Sequence, residues 1–375
     1  MRISITEPAF GRQSFWLLTA LWLVSCLICA DALHAEECTT QSQMKASDRE
    51  VLRLVSLDIA TKIQANDTAK LSALSGPDMA RDFAGLTGLI GNVASKISGA
   101  TLEVEQLYLL DASSIKPSAT GTAPDAQFFC SLNKSMAEAE FTIPALPPGR
   151  YAFAIVTASG IKSPWRLSLL LEQDPVSPNA WKMVGFYPRT MVAAGHDGLW
   201  YWTQARDLVK QKQLWNAYIY YQQAQSLLLP AAFVTSTHAD KLRKEALAAA
   251  PPALSEGISA STPLVVQGPN GSEYRFSGLS SDDSLGADKI DLVLHLEPDP
   301  PTDKPDPAAK GTPKSDSPKP KPSPEVSPAT RNTNAMVALL AAYPELRSRF
   351  HGVWVFATAP GRTPFVTEQP MANIP

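Results

Sequence analysis

Between residues 40 and 190 the spacing of apolar side chains changes from about four to two, and no other feature narrows the fold so far. Val51, Val55, Ile59 and Ile63 recur at every fourth position, with Leu52 beside them and Arg53, Asp58 and Lys62 on the other side. That pattern makes one apolar face of a helix. Ser47 and Glu50 have capping-box spacing at its start, and Asp67 or Thr68 can cap a shorter helix that Gly76-Pro77 ends. A third helical pattern covers 83–97 in spite of Gly85, Gly88 and Gly91, each of which costs about 1 kcal/mol in a helix interior. From Leu102 the alternation is strand-like, through Val104, Gln106 and Tyr108. Further strand candidates lie at 128–130, 140–143, 151–157, 165–172 and 181–187, separated by turn signals such as Pro147-Pro148-Gly149 and Ser159-Gly160. Helices first and strands after predict an α+β domain over 40–190, with the helices packed on a curved antiparallel sheet.

The first residues carry an address rather than a fold. Arg2 and Arg12 precede an almost purely apolar run at 15–30, and Ala30-Asp31-Ala32 offers the small-x-small site of a signal peptidase. The expectation is a signal peptide over 1–35 and an exported protein, periplasmic or extracellular. An uncleaved membrane anchor is one alternative. Lipidation of Cys26 is another, because Leu23-Val24-Ser25-Cys26 resembles a bacterial lipobox. Of the four cysteines, cleavage leaves Cys38 and Cys130. Two thiols in an oxidising compartment commonly pair, so a disulfide between them is expected, with two buried free thiols as the alternative.

The chain has 375 residues, is 45% hydrophobic and carries a formal charge of -3. That length supports two or three cores. The charge gives no basic excess for nucleic acid and no acidic block for cations. Prolines concentrate between Pro298 and Pro328, in a stretch with no aromatics and Val326 as its only bulky aliphatic residue. Such chain cannot bury enough apolar surface to order itself. A Pro/Lys-rich disordered insertion over 297–331 is predicted. It interrupts a small C-terminal α+β module formed by 262–296 plus 332–375. In that module Pro269-Asn270-Gly271 signals a hairpin, 290–296 and 353–357 read as strands, and 334–343 reads as a helix.

The segment 198–230 has the sharpest helical pattern. Tyr201, Ala205 and Leu208 share a face of a first helix, and Ala217, Tyr221 and Ala224 share one of a second, which Pro230 ends. Small residues let the two helices approach while tyrosines fill the gaps. The aromatic–small–large and small–aromatic–small patterns resemble one tetratricopeptide repeat, without the glycine many repeats carry and without a second unit. Segment 238–249 reads as a capping helix, giving a region over 196–250 that leans on the first domain. The resemblance implies a face for a protein or peptide partner, and Trp200, Trp202, Trp215, Tyr218 and Tyr220 are the candidate partner-binding residues. Interdomain packing is the alternative role for the same rings.

Trp165-Arg166-Leu167-Ser168-Leu169 and Trp181-Lys182-Met183-Val184-Gly185-Phe186 are similar to the closing strands of the nuclear-transport-factor-like (cystatin-like) superfamily. The resemblance spans about 40–190 and implies a conical pocket between sheet and helices. Catalytic members place an Asp–His pair or similar groups there. No histidine lies between His34 and His196, and Asp58, Asp111 and Glu140 are the carboxylates available. No zinc motif, serine elbow or phosphate loop occurs. The four aspartates at 282, 283, 288 and 291 lack the spacing of a calcium loop. No catalytic residue, metal or cofactor is predicted. The sequence therefore points to a non-catalytic interaction protein of the bacterial envelope that binds through the aromatic hairpin. The alternative is a small-ligand binder using a pocket in the first domain.

Overall fold

The structure is a computed structural model and describes residues 37–117, 121–132, 136–268, 271–285, 288–298, 327–359 and 362–375. The expected export segment with Cys26 and most of the proline-rich insertion lie outside the described residues, as do Pro269 and Asn270 of the expected hairpin turn.

The chain is α+β. Strand β1 (Glu37–Thr40) leads into helices α1 (Ala46–Gln64), α2 (Thr68–Ala73), α3 (Pro77–Arg81) and α4 (Ala84–Lys96). Six strands follow: β2 (Thr101–Asp111), β3 (Ala126–Leu132), β4 (Met136–Ile143), β5 (Arg150–Ser159), β6 (Trp165–Gln173) and β7 (Trp181–Thr190). Asp67 caps α2 by accepting from the Lys70 amide. Ser47 does not cap α1, because that helix starts before it, with Lys45 at the cap position. The glycines of α4 fall on its outer side, where Gly85 and Gly88 are exposed and the apolar face at Ile90 and Val93 still reaches the core.

Strands β1, β2, β5, β6 and β7 form one antiparallel sheet in the order β1-β2-β5-β6-β7. Its alternation feeds two cores. Leu107, Leu109, Ala154, Leu167 and Leu169 point to the helices and pack on Leu52, Ile59, Ile63 and Ile90. Tyr108, Leu110, Phe153, Ile155 and Leu170 point the other way. The expectation of one curved sheet misses one feature there: β3 and β4 leave the main sheet and fold across its second face as a separate small sheet. Phe128 and Phe141 fill the space between, with the Phe141 ring edge-on to Tyr108 and Phe153. Strands buried on both faces lose polar alternation, which is why β5 reads YAFAIV. Cys38 of β1 and Cys130 of β3 form the disulfide that joins the two sheets.

A short β8 (Val192–Ala193) and β9 (His196–Asp197) pair leads into helices α5 (Gly198–Lys210) and α6 (Leu214–Leu228). The chain then returns to the first domain as β10 (Val234–Thr235), which pairs with β4, before α7 (Thr237–Ala248). The last part contains β11 (Leu264–Gln267), β12 (Glu273–Asp282), β13 (Asp291–Leu296), α8 (Pro328–Ala342), β14 (Gly352–Ala359) and β15 (Arg362–Pro370). These strands form a second sheet in sequence order, with β13 and β14 parallel and the others antiparallel. The proline-rich insertion sits in the crossover between the two parallel strands.

The hairpin, expected to lean on the first domain, also packs on the C-terminal module. The rings and alanines of α5 and α6 share one continuous core with Phe276, Leu292, Leu294, Met336 and Val355 of the C-terminal module. Two polar ties reinforce that contact. Glu345 accepts from the Trp215 amide, and its carbonyl accepts from the Asn216 side chain. Contact with the first domain comes through the end of α6, whose Leu227 and Leu228 carbonyls accept from Arg166, and through the chain leaving it, where Phe233 packs edge-on to Phe153 and Tyr187.

Candidate functional site

Five aromatic residues were expected on a partner-binding face, and most of them are inside. Trp202 and Trp215 are 8% exposed and Tyr220 is 7% exposed. Trp200 and Tyr218 are half-buried. The Trp200 ring stacks on His196 at 3.7 Å. Asp197, beside it, caps α5 by accepting from the Trp200 amide. Trp215 lies 3.8 Å from the Tyr343 ring, and Tyr220 meets Tyr201 at 5.2 Å. The six residues assigned to hairpin packing, Tyr201, Ala205, Leu208, Ala217, Tyr221 and Ala224, are all buried. Burial also raises the Tyr201 phenol far above its ordinary value, and its hydroxyl donates to the Ala193 carbonyl.

Trp202 is held from two sides. Its indole Nε1 donates to Glu245 Oε2 at 2.8 Å. Arg206 forks onto the same carboxylate at 2.6 and 2.8 Å, and its guanidinium lies 4.4 Å over the Trp202 ring. This cluster ties α7 to α5. Hydrogen bonds from Arg206 lower the Glu245 pKa most, with a further contribution from Trp202, against an opposing desolvation effect. A carboxyl depressed in the folded state adds stability above its unfolded value and loses it as pH falls through the folded value. Below the ordinary carboxylate value near 4.5, acid should therefore loosen α7. Hydrogen exchange of α7 amides should accelerate on acidification in the wild type. In Glu245→Gln the same amides should exchange faster already at neutral pH and respond less to acid.

Beside Trp202 the hairpin and the first domain enclose a cleft of about 460 Å³. The sheet supplies Glu105, Tyr108, Ile155 and Arg166. Helix α5 supplies Leu199 and Trp202, the exit of α6 supplies Leu228 to Pro230, and β10 and α7 supply Val234, Ala239 and Leu242. The lining is mainly apolar. Leu199 stands 59% exposed at the cleft. Two of the side-chain hydroxyls here are engaged: Ser236 caps α7 by accepting from the Ala239 amide, and Thr235 donates to the Asp240 carboxylate. The cleft opens on the sheet face away from the helices, while the helix-side face, where the superfamily resemblance implied a pocket, is filled by the packed side chains described above.

No family model, curated protein or solved structure matches this chain.

Arg166 is the charged group set deepest in the cleft. It occupies the second-face side of β6, between the apolar residues of a strand covered on both faces. Nη1 donates to the Leu227 and Leu228 carbonyls at 3.3 Å each. Those carbonyls end α6, so the cation answers the negative pole of that helix. Burial lowers its pKa from the ordinary guanidinium value, and the Glu105 carboxylate opposes this. Glu105 itself is exposed. Among the described residues no protein group accepts from Nε or Nη2 of Arg166.

Sequence reasoning missed Arg166, Leu199 and Ala239. The available signal was a lone cation in Trp165-Arg166-Leu167-Ser168-Leu169, a strand with too few polar neighbours to be half-solvated. A shallower hollow of about 300 Å³ lies on the open face of the C-terminal sheet, over Val293, His295, Trp354 and Phe356. It is the smaller of the two.

Proposed function

We propose that the protein is an exported, non-catalytic binding protein of the bacterial envelope and that the junction cleft receives a small ligand with an apolar body. The observation that carries this reading is the cleft itself, a largely apolar hollow of about 460 Å³ between two packed bodies. Its size lies within the roughly 300–1,000 Å³ of small-molecule sites, and its walls are of the kind such sites use. Export is supported by the leader over 1–35 and by the Cys38–Cys130 disulfide, a bond that persists in oxidising compartments. No helix among the described residues is long and apolar enough to cross a membrane.

Binding of a protein partner through the hairpin aromatics is less well supported, because Trp202, Trp215 and Tyr220 are already occupied by Glu245, Tyr343 and Tyr201. A fluorescence titration with the neutral apolar dye Nile red tests the cleft. Ala239 is half-buried on α7, so Ala239→Trp should fill the cleft while its backbone stays helical. Binding should weaken by about tenfold or more, with an unchanged circular dichroism spectrum. Equal binding by the wild type and the variant would remove the cleft as the site.

A further inference from the structure

We infer that the ligand of the junction cleft is an amphipathic carboxylate, with its head group on Arg166 and its chain along the apolar walls. This rests on the reading of the cleft as a ligand site and adds the chemical class of the ligand.

Three observations support it. First, Arg166 presents donors that the fold leaves unused. Nη1 is taken by the Leu227 and Leu228 carbonyls, and among the described residues no protein group accepts from Nε or Nη2. Those two groups lie in one plane and match the two oxygens of a carboxylate. Second, the cation is partly desolvated, so an incoming anion replaces hydration that the protein has already removed. A neutral head group can accept from the same donors but does not meet their charge. Third, the rest of the lining selects the body of the ligand. Tyr108, Ile155, Trp202, Val234 and Leu242 offer no charge, and burial of an alkyl chain against them is favourable in proportion to the area covered.

The same surroundings limit the charge of the head group. The Glu105 carboxylate lies close enough to act on Arg166, and two helix-end carbonyls share its guanidinium. A second negative charge would meet both. A monoanionic carboxylate therefore fits better than a phosphate monoester.

Competition against Nile red tests the inference, with dodecanoate, dodecyl phosphate and dodecanol as probes. The wild type should bind dodecanoate about tenfold or more tighter than dodecanol, as expected for a charge-assisted pair, and tighter than dodecyl phosphate. In Arg166→Gln the preference for dodecanoate over dodecanol should collapse. Because Arg166 also closes the end of α6, Arg166→Lys is the second variant. It keeps the positive charge but loses the planar fork, and it should retain the fold and lose most of the preference. Equal potency of dodecanoate and dodecanol on the wild type, tighter binding of dodecyl phosphate, or a full preference surviving in either variant would overturn the carboxylate assignment. These failures are separable from failure of the cleft. If Ala239→Trp blocks dodecanol and dodecanoate alike while the two compete equally on the wild type, the cleft stands and the head-group inference falls. If Ala239→Trp blocks neither, the cleft itself falls.

Discussion

Replacing Trp215 by alanine is expected to destabilise the helical hairpin and the C-terminal module together, by about 3–5 kcal/mol. The indole is 8% exposed and packs on Tyr343, which ends α8. Its amide is held by Glu345 from the same module. Removing the ring opens a cavity on a surface shared by both parts, and neither can close it without moving the other. Hydrogen exchange in the variant should accelerate in α6 and in β13–β14 alike, while the helices of the first domain keep their protection. Acceleration confined to α6 would mean that the hairpin is a separate unit and that the shared core of Phe276, Leu292 and Met336 contributes little coupling.

Loss of the Cys38–Cys130 bond is expected to cost about 4–5 kcal/mol in the chain-entropy account, since its ends are 92 residues apart. The bond closes a loop that contains the four helices of the first domain and strand β2. The urea midpoint of the oxidised protein should therefore lie well above that of the reduced protein. It should also exceed that of a Cys38→Ala, Cys130→Ala variant, whose own midpoint should not depend on reductant. Alanine is the suitable replacement because Cys130 is fully buried among apolar side chains. Equal midpoints would show that pairing of β1 with β2 already restrains the amino-terminal strand as firmly as the covalent link.

The legible part of the fold was whatever a local period encodes. The helical face at Val51, Val55, Ile59 and Ile63 and the alternation from Leu102 placed α1 and β2 correctly, and Tyr201, Ala205, Ala217 and Ala224 marked two packed helices. The disulfide was readable because the expected export signal accounts for two of the four cysteines. Three things were not readable, each for a physical reason. Strands β3 and β4 carry the same alternation whether they extend the main sheet or fold across it. Strand β10 has two residues, too few for any pattern. The shared core of hairpin and C-terminal module depends on surfaces far apart in the chain, and local spacing says nothing about which apolar face meets which. The candidate site follows the same rule. The expected aromatics were recognised as apolar bulk, but whether a tryptophan faces solvent or a neighbouring sheet is decided by tertiary packing. Arg166 was hidden for the opposite reason, because its strand was read by its apolar majority.

The return of the chain as β10 gives the amino-terminal half an interlaced boundary. Its small sheet borrows Val234 and Thr235, and its aromatic cluster borrows Phe233, from beyond the hairpin. A fragment ending near residue 190 would be cut at the obvious seam and still be incomplete. Strand β4 would present a bare edge, which is a template for intermolecular strand exchange and aggregation. The smallest autonomous piece should therefore extend past residue 235, carrying both hairpin helices as passengers.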